Sequence, residues 1–248
     1  MKNTHFSREI TVFHGRSAPE KGQIAGYAAI IDKLELPVPL PHTLALISKK
    51  THRYEKDGWK VFTPRHQPED SLYKQLVFAL KYEGINLLLF KCLFSKLGIQ
   101  EVKELLQIEP TGQYSRKIWF LYEWLMEEQL DLPNLEIKNY VPLLDDKIQY
   151  AIEGQRSPRH RIINNLPGTP GFCPLIFKTP KLEAYIHSNL SGKKDDYLST
   201  IRKDVLQRAS AFLLLKDSRA SSALMSNTSQ TPARCTFWFS WARKSASR

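Results

Sequence analysis

A chain of 248 residues, 42% hydrophobic and 25% charged, can bury a core as one large domain or two modest ones. No apolar run approaches the roughly 20 residues that cross a bilayer, and the polar stretch Met1 to Arg16 lacks the apolar region of a secretory signal, so the cytoplasm is the expected location. The formal net charge of +11 invites a nucleic-acid reading, but five basic residues and no acidic one lie beyond Asp217, which leaves the body only mildly basic.

Residues 1–68 read as a mixed segment. Ile10–Phe13 and Ile24–Ile31 are short apolar stretches set apart by Gly15, Pro19, Gly22 and Gly26. Prolines 37, 39 and 41 alternate, which forbids a regular helix and favours an extended link. Trp59–Phe62 has the composition of one short strand, closed by Pro64.

Residues 69–130 switch to helical periodicity and predict a four-helix bundle with short links. Asp70 or Ser71 caps a first helix bearing Leu72, Leu76, Val77 and Leu80, which Gly84 ends. Asn86 caps a second over Leu87–Leu97, Glu101–Ile108 forms a third, and Tyr114–Gln129 a fourth. Residues 131–178 are rich in proline and glycine, and predict an ordered loop or short strands at Val141–Leu144, Tyr150–Ile152 and Leu175–Phe177. Helices resume over residues 179–221: one from Thr179-Pro180 to about Asn189, a polar link at Gly192–Asp196, and a last from Tyr197 to Lys216. Residues 222–248 lose the pattern and read as an aberrant, disordered tail ending in Phe237-Trp238-Phe239-Ser240-Trp241, an exposed and sticky run. The expected fold class is therefore mainly α: a helical bundle with a proline-rich, short-strand segment and a small mixed N-terminal part.

Few constellations carry chemistry. Three scattered cysteines exclude a disulfide framework, and Cys92 fits a buried, unreactive thiol. His66 sits in Thr63-Pro64-Arg65-His66. Arg156, Arg159, His160 and Arg161 crowd one loop, as a phosphate or acidic-partner contact would, or else a solvated loop or an internal salt-bridge hub. Asp145-Asp146 and Asp195-Asp196 lack a third ligand at useful spacing, so turns are expected and no metal. The aromatic run Trp119–Trp124 suits a bundle core better than base stacking. No phosphate loop, dinucleotide fingerprint, nucleophile elbow or H-E-x-x-H occurs.

Several segments, in order and at natural spacing, resemble the N-terminal region of Fic-family proteins. They are Thr63–Pro68, Phe78–Gly84, Arg116–Trp124, Ser157–Arg161, Asn164–Pro170 and Leu213–Ser218, and the resemblance runs from about Val12 to Ser221. It implies intact relatives that transfer AMP from ATP, with magnesium, to hydroxyls of protein targets. It also implies an inhibitory motif, [S/T]-x-x-x-E-[G/N], whose glutamate engages an active-site arginine. Here Ser221 holds the serine position, Met225 replaces the glutamate and Ser226 the glycine. Methionine cannot accept the paired hydrogen bonds of a guanidinium. The catalytic signature H-x-F-x-[D/E]-G-N-G-R is not among the 248 residues. The resemblance thus implies a fragment, truncated or frameshifted near residue 222, that needs no cofactor and is inactive alone. The other expectation is a non-enzymatic basic module that contacts nucleic acid or a protein partner.

Overall fold

A computed structural model describes residues 5–188, 190–201 and 203–226. The helical bundle expected above is only part of the architecture. Among the described residues, eight helices stand beside eight strands in two mixed sheets, so the fold is α/β rather than mainly α.

The first sheet lies where a loosely mixed segment was expected. Its strands are β1 (Glu9–Phe13), β2 (Arg16–Ala25), β3 (Leu44–Ile47), β4 (Tyr54–Lys56) and β5 (Trp59–Phe62), ordered β1-β2-β3-β5-β4. All neighbours are antiparallel except β3 and β5. Helix α1 (Tyr27–Leu34) crosses between β2 and β3. Polar residues, Pro19 and Gly22 disguise β2, whose outer half is exposed or half-buried. Strand β3 is four consecutive buried apolar residues, a run without period-2 alternation. Asp57 and Gly58, with φ of 51° and 77°, make the two-residue turn that pairs Lys56 with Trp59, and Asp-Gly there is a strong hairpin signal. Trp59–Phe62 is a strand over its expected bounds.

Helices α2 (Leu72–Tyr82), α3 (Leu87–Lys96), α4 (Ile99–Gln107) and α5 (Gln113–Met126) follow the periodic segments closely. The Ser71 hydroxyl accepts from Lys74 N at 3.2 Å and Asn86 Oδ1 from Leu89 N at 3.1 Å, capping α2 and α3. One core joins these four helices to Tyr27, Ile30 and Ile31 of α1, and Leu143, Leu144 and Ile162 from the loop region complete it. Two smaller clusters line the sheet: Ala28 and Ala29 pack against Ile24, Leu44 and Val61, while Phe78 of α2 packs against Ala45, Ile47 and Phe62. Cys92 is half-buried rather than fully enclosed.

The proline-rich region holds a three-stranded sheet, β6 (Val141–Pro142), β8 (Ile162–Asn164) and β7 (Gln155–Ser157), in that order. Expected strands at Tyr150–Ile152 and Leu175–Phe177 reduce to a single bridge between Gln149 and Phe177. Two buried amides supply the pairing that so short a sheet cannot. Gln149 accepts from Ile85 N at 2.8 Å and donates to Ile85 O at 2.9 Å. Asn165 does the same for Leu144, at 2.8 and 3.2 Å.

The chain forms two compact units, Met1–Thr179 and Pro180–Arg248. The second contains α6 (Pro180–His187), α7 (Leu190–Thr200) and α8 (Lys203–Ser226). The polar link expected at Gly192–Asp196 lies inside α7 instead, and α8 runs beyond Lys216. The expected apolar stripes do not bury here: Tyr185, Val205, Phe212 and Leu213 are all exposed. Among the described residues, no helix is long and apolar enough to cross a membrane.

Candidate functional site

The cluster of arginines and histidine folds into the β7–β8 hairpin, and most of it turns inward. Pro158 fixes φ just after Ser157, and the chain reverses over Pro158–Arg161 with Arg161 at φ 53°. Arg159 then reaches Glu123 on α5. Its Nε lies 3.1 and 3.0 Å from the two carboxylate oxygens and its Nη2 is 2.9 Å from Oε1. Arg159 also donates to Leu132 O at 3.0 Å and lies over the Trp119 ring. Glu123 accepts in addition from Trp119 Nε1 at 2.8 Å and Leu130 N at 3.0 Å. Burial alone pushes the Glu123 carboxyl up, but Arg159 and these N–H donors outweigh it and hold the group below its ordinary range.

His160 completes the hub. Its Nε2 is 2.9 Å from Glu123 Oε2 and its Nδ1 is 2.8 Å from Ser157 Oγ. Burial pushes the imidazole pKa down more strongly than Glu123 pulls it up, so it sits neutral. A neutral ring that donates from Nε2 to the carboxylate takes the Ser157 proton on Nδ1. Hydroxyl, imidazole and carboxylate in a row are the parts of a nucleophile–base chain. The ring nevertheless lies edge-on to Trp119 and Phe120, with centroids 4.8 and 5.4 Å away, and is 6% exposed. Closed off by those rings, the row serves structure.

Arg161 donates to Leu135 O at 2.8 Å and to the Tyr140 hydroxyl at 3.1 Å. Buried Arg116 donates to Arg161 O at 3.3 Å and Asn139 O at 3.1 Å. Of the four expected contact residues only Arg156 keeps an exposed guanidinium, stacked on Tyr140. Of the aspartate pairs, the first lies in the loop after β6, where Asp145 accepts from Lys147 N at 2.9 Å and Asp146 pairs with Lys178 at 2.9 Å. The second lies not in a turn but inside α7, where Asp195 pairs with Lys194 at 3.4 Å. Ser221, Met225 and Ser226 fall on the last turns of α8, and their side chains lie outside the described residues, as does the tail from 227.

Sequence reasoning missed two buried titratable groups. Glu83 follows α2, accepts from Tyr27 N at 2.8 Å through Oε2, and leaves Oε1 buried without a partner; burial raises its pKa to about 8. Lys117 on α5 is 7% exposed, and burial lowers its pKa to about 8 against the pull of Asp145. Neither sits in a recognisable motif. Helical spacing on α5 was the available signal for Lys117, which occupies an inward position, whereas Glu83 caps the end of α2 and carried no such signal.

The sequence also hides a twin. Thr63-Pro64-Arg65-His66 follows β5 as Ser157-Pro158-Arg159-His160 follows β7. The Thr63 hydroxyl lies 2.8 Å from His66 Nδ1, the same distance as in the second turn. No protein-family model matches the chain, and no curated protein or solved structure matches it.

Proposed function

We propose that this chain is a Fic-type N-terminal module that binds and orients its partners in the cytoplasm and carries out no AMP transfer of its own. The observation that supports this most directly is helix α8. It runs without a break over Lys203–Ser226, holds the Leu213–Ser218 segment, and places residues 221 and 225 one turn apart. That is the spacing an inhibitory [S/T]-x-x-x-E helix needs, with methionine where the glutamate belongs. The ATP and magnesium of intact relatives are held by a glycine-rich, acid-bearing signature that these 248 residues do not contain. No step through either is derived for this chain.

The test is incubation of the purified protein with radiolabelled ATP, magnesium and a whole-cell protein extract. Labelling should not rise above that of the extract alone. Magnesium-dependent label that scales with the amount of this protein overturns the reading.

A further inference from the structure

The two twin turns differ in what stands opposite them. In the second, Arg159 and His160 close on the Glu123 carboxylate, one guanidinium and one neutral imidazole against a single negative charge. In the first, the same hydroxyl-braced histidine pairs with no carboxylate among the described residues. His66 Nδ1 is tied to Thr63, which leaves Nε2, the atom that grips Glu123 in the twin, outside that bond. Three cations surround it instead. Arg65 adjoins it in the turn, Arg53 comes from the segment before β4, and Lys81 from the last turn of α2. None of the three forms an ion pair with a carboxylate among the described residues, and Lys81 hydrogen-bonds only the neighbouring Tyr82 hydroxyl there. Glu20, within β2, is already engaged by the hydroxyls of Ser48 and Tyr54, at 3.0 and 2.6 Å.

The cations are also held in place. The Arg53 guanidinium lies 4.6 Å from the Phe62 ring centroid and 5.3 Å from that of Tyr82. Lys81 Nζ is 5.1 Å from the same Tyr82 ring, and His66 packs 5.7 Å from both rings. Burial, followed by the nearby charges of Arg53, Arg65 and Lys81, pushes His66 below its ordinary pKa, against the pull of Thr63. Two like charges on one aromatic platform, with Arg65 adjoining His66 beside them, repel one another unless an anion joins them. The site lies beyond the carboxyl ends of the parallel pair β3 and β5, where α/β folds commonly take ligands.

We propose that Arg53, Arg65, His66 and Lys81 form a binding site for the phosphate monoester group of a small molecule, an external dianion occupying the place that Glu123 fills in the twin turn. The charge count selects phosphate over carboxylate: one arginine serves Glu123, whereas three cations converge here. Arg65 supplies a planar fork for two phosphate oxygens, Lys81 a point charge, and His66 Nε2 a donor whenever that nitrogen carries a proton. Nucleic acid fits less well. Arg53 covers the ring faces on which a base would stack, and the cations converge on one imidazole rather than tracking a strand.

The experiment uses the full chain with 13C-labelled histidine, the His66 ring signals being identified by their loss in His66→Gln. Inorganic phosphate, phenyl phosphate, acetate and a thymidine oligonucleotide are titrated at constant ionic strength. Both phosphates should shift the His66 signals saturably and raise its apparent pKa, and acetate should not. Arg65→Gln removes an exposed side chain without a partner, so the fold stays intact, and it should weaken phosphate binding about tenfold, the cost of one charge-assisted bond. Arg53→Gln should act likewise. A phosphate response no larger than that of acetate overturns the proposal, as does unchanged affinity in Arg65→Gln. Saturation by the oligonucleotide at far lower concentration than by phenyl phosphate would assign the patch to nucleic acid and also overturn it.

Discussion

Glu83 and Lys117 titrate in opposite senses around one pH. Folding raises the Glu83 carboxyl from 4.5 to about 8, so the folded state holds its proton longer than the unfolded chain does. Stability from this group therefore falls as pH rises from about 4.5 to 8. Folding lowers Lys117 from 10.5 to about 8, so the unfolded chain keeps the extra proton, and stability rises with pH between about 8 and 10.5. Each unit is worth about 1.4 kcal/mol, so each group contributes a few kcal/mol and together they dig a minimum near pH 8. Glu83→Gln keeps an acceptor for Tyr27 N and should abolish the fall on the acid side. Lys117→Met should abolish the rise on the alkaline side and stabilise the protein at pH 7. Urea midpoints at pH 6, 8 and 10 for the three proteins check both, and parallel curves would refute the pair. Gly26 shows how tightly this corner is built. Its φ is 65° and a Cβ there would collide with Glu83 Oε2, so glycine is required on two counts.

At the scale of elements, the Glu123 hub pins the β7–β8 hairpin to α5. Glu123→Ala strands the Arg159 charge and should cost about 3–5 kcal/mol, the penalty of breaking a buried pair. Both hub groups are depressed on folding. The His160 contribution is complete above roughly pH 6.5, its unfolded value, and that of Glu123 above its own unfolded value. Both are then lost on acidification. Glu123 is also what pulls the His160 pKa up, so Glu123→Ala leaves the buried imidazole depressed further. The variant should therefore lose more stability between pH 7 and pH 4 than the wild type does, as read from urea midpoints; an equal loss would remove the hub from the explanation. Helices α2 to α5 were legible because their caps and apolar spacing agree, as Ser71 and Asn86 show. The first sheet was not. Proline and charge interrupt β2, β3 is an unalternating run, and the Asp57-Gly58 turn was the overlooked clue. The hub stood in the sequence as one of three readings of Arg156–Arg161, beside a partner contact and a solvated loop. What decided between them was Glu123, 36 residues from Arg159 and invisible to any local pattern.

Over the whole molecule, Met1–Thr179 contains all three buried apolar clusters, whereas α6 buries no residue. The chain expressed as residues 1–179 should therefore fold and unfold cooperatively with the urea midpoint of the full protein; a broadened or lowered transition would show that the second unit supports the first. The basic excess beyond Asp217 would leave with the second unit, and phosphate binding at Arg65 and His66 should stay.

The Gln149 side chain satisfies both backbone groups of Ile85 across 64 residues of chain. Synthesis proceeds from the N-terminus at roughly 5–20 residues per second, so the link between α2 and α3 waits about 3–13 s for its partner to emerge. During that interval its amide and carbonyl must keep their water, and the nascent helices cannot dry their junction. Closure of the core is thereby timed by a glutamine that the ribosome delivers late.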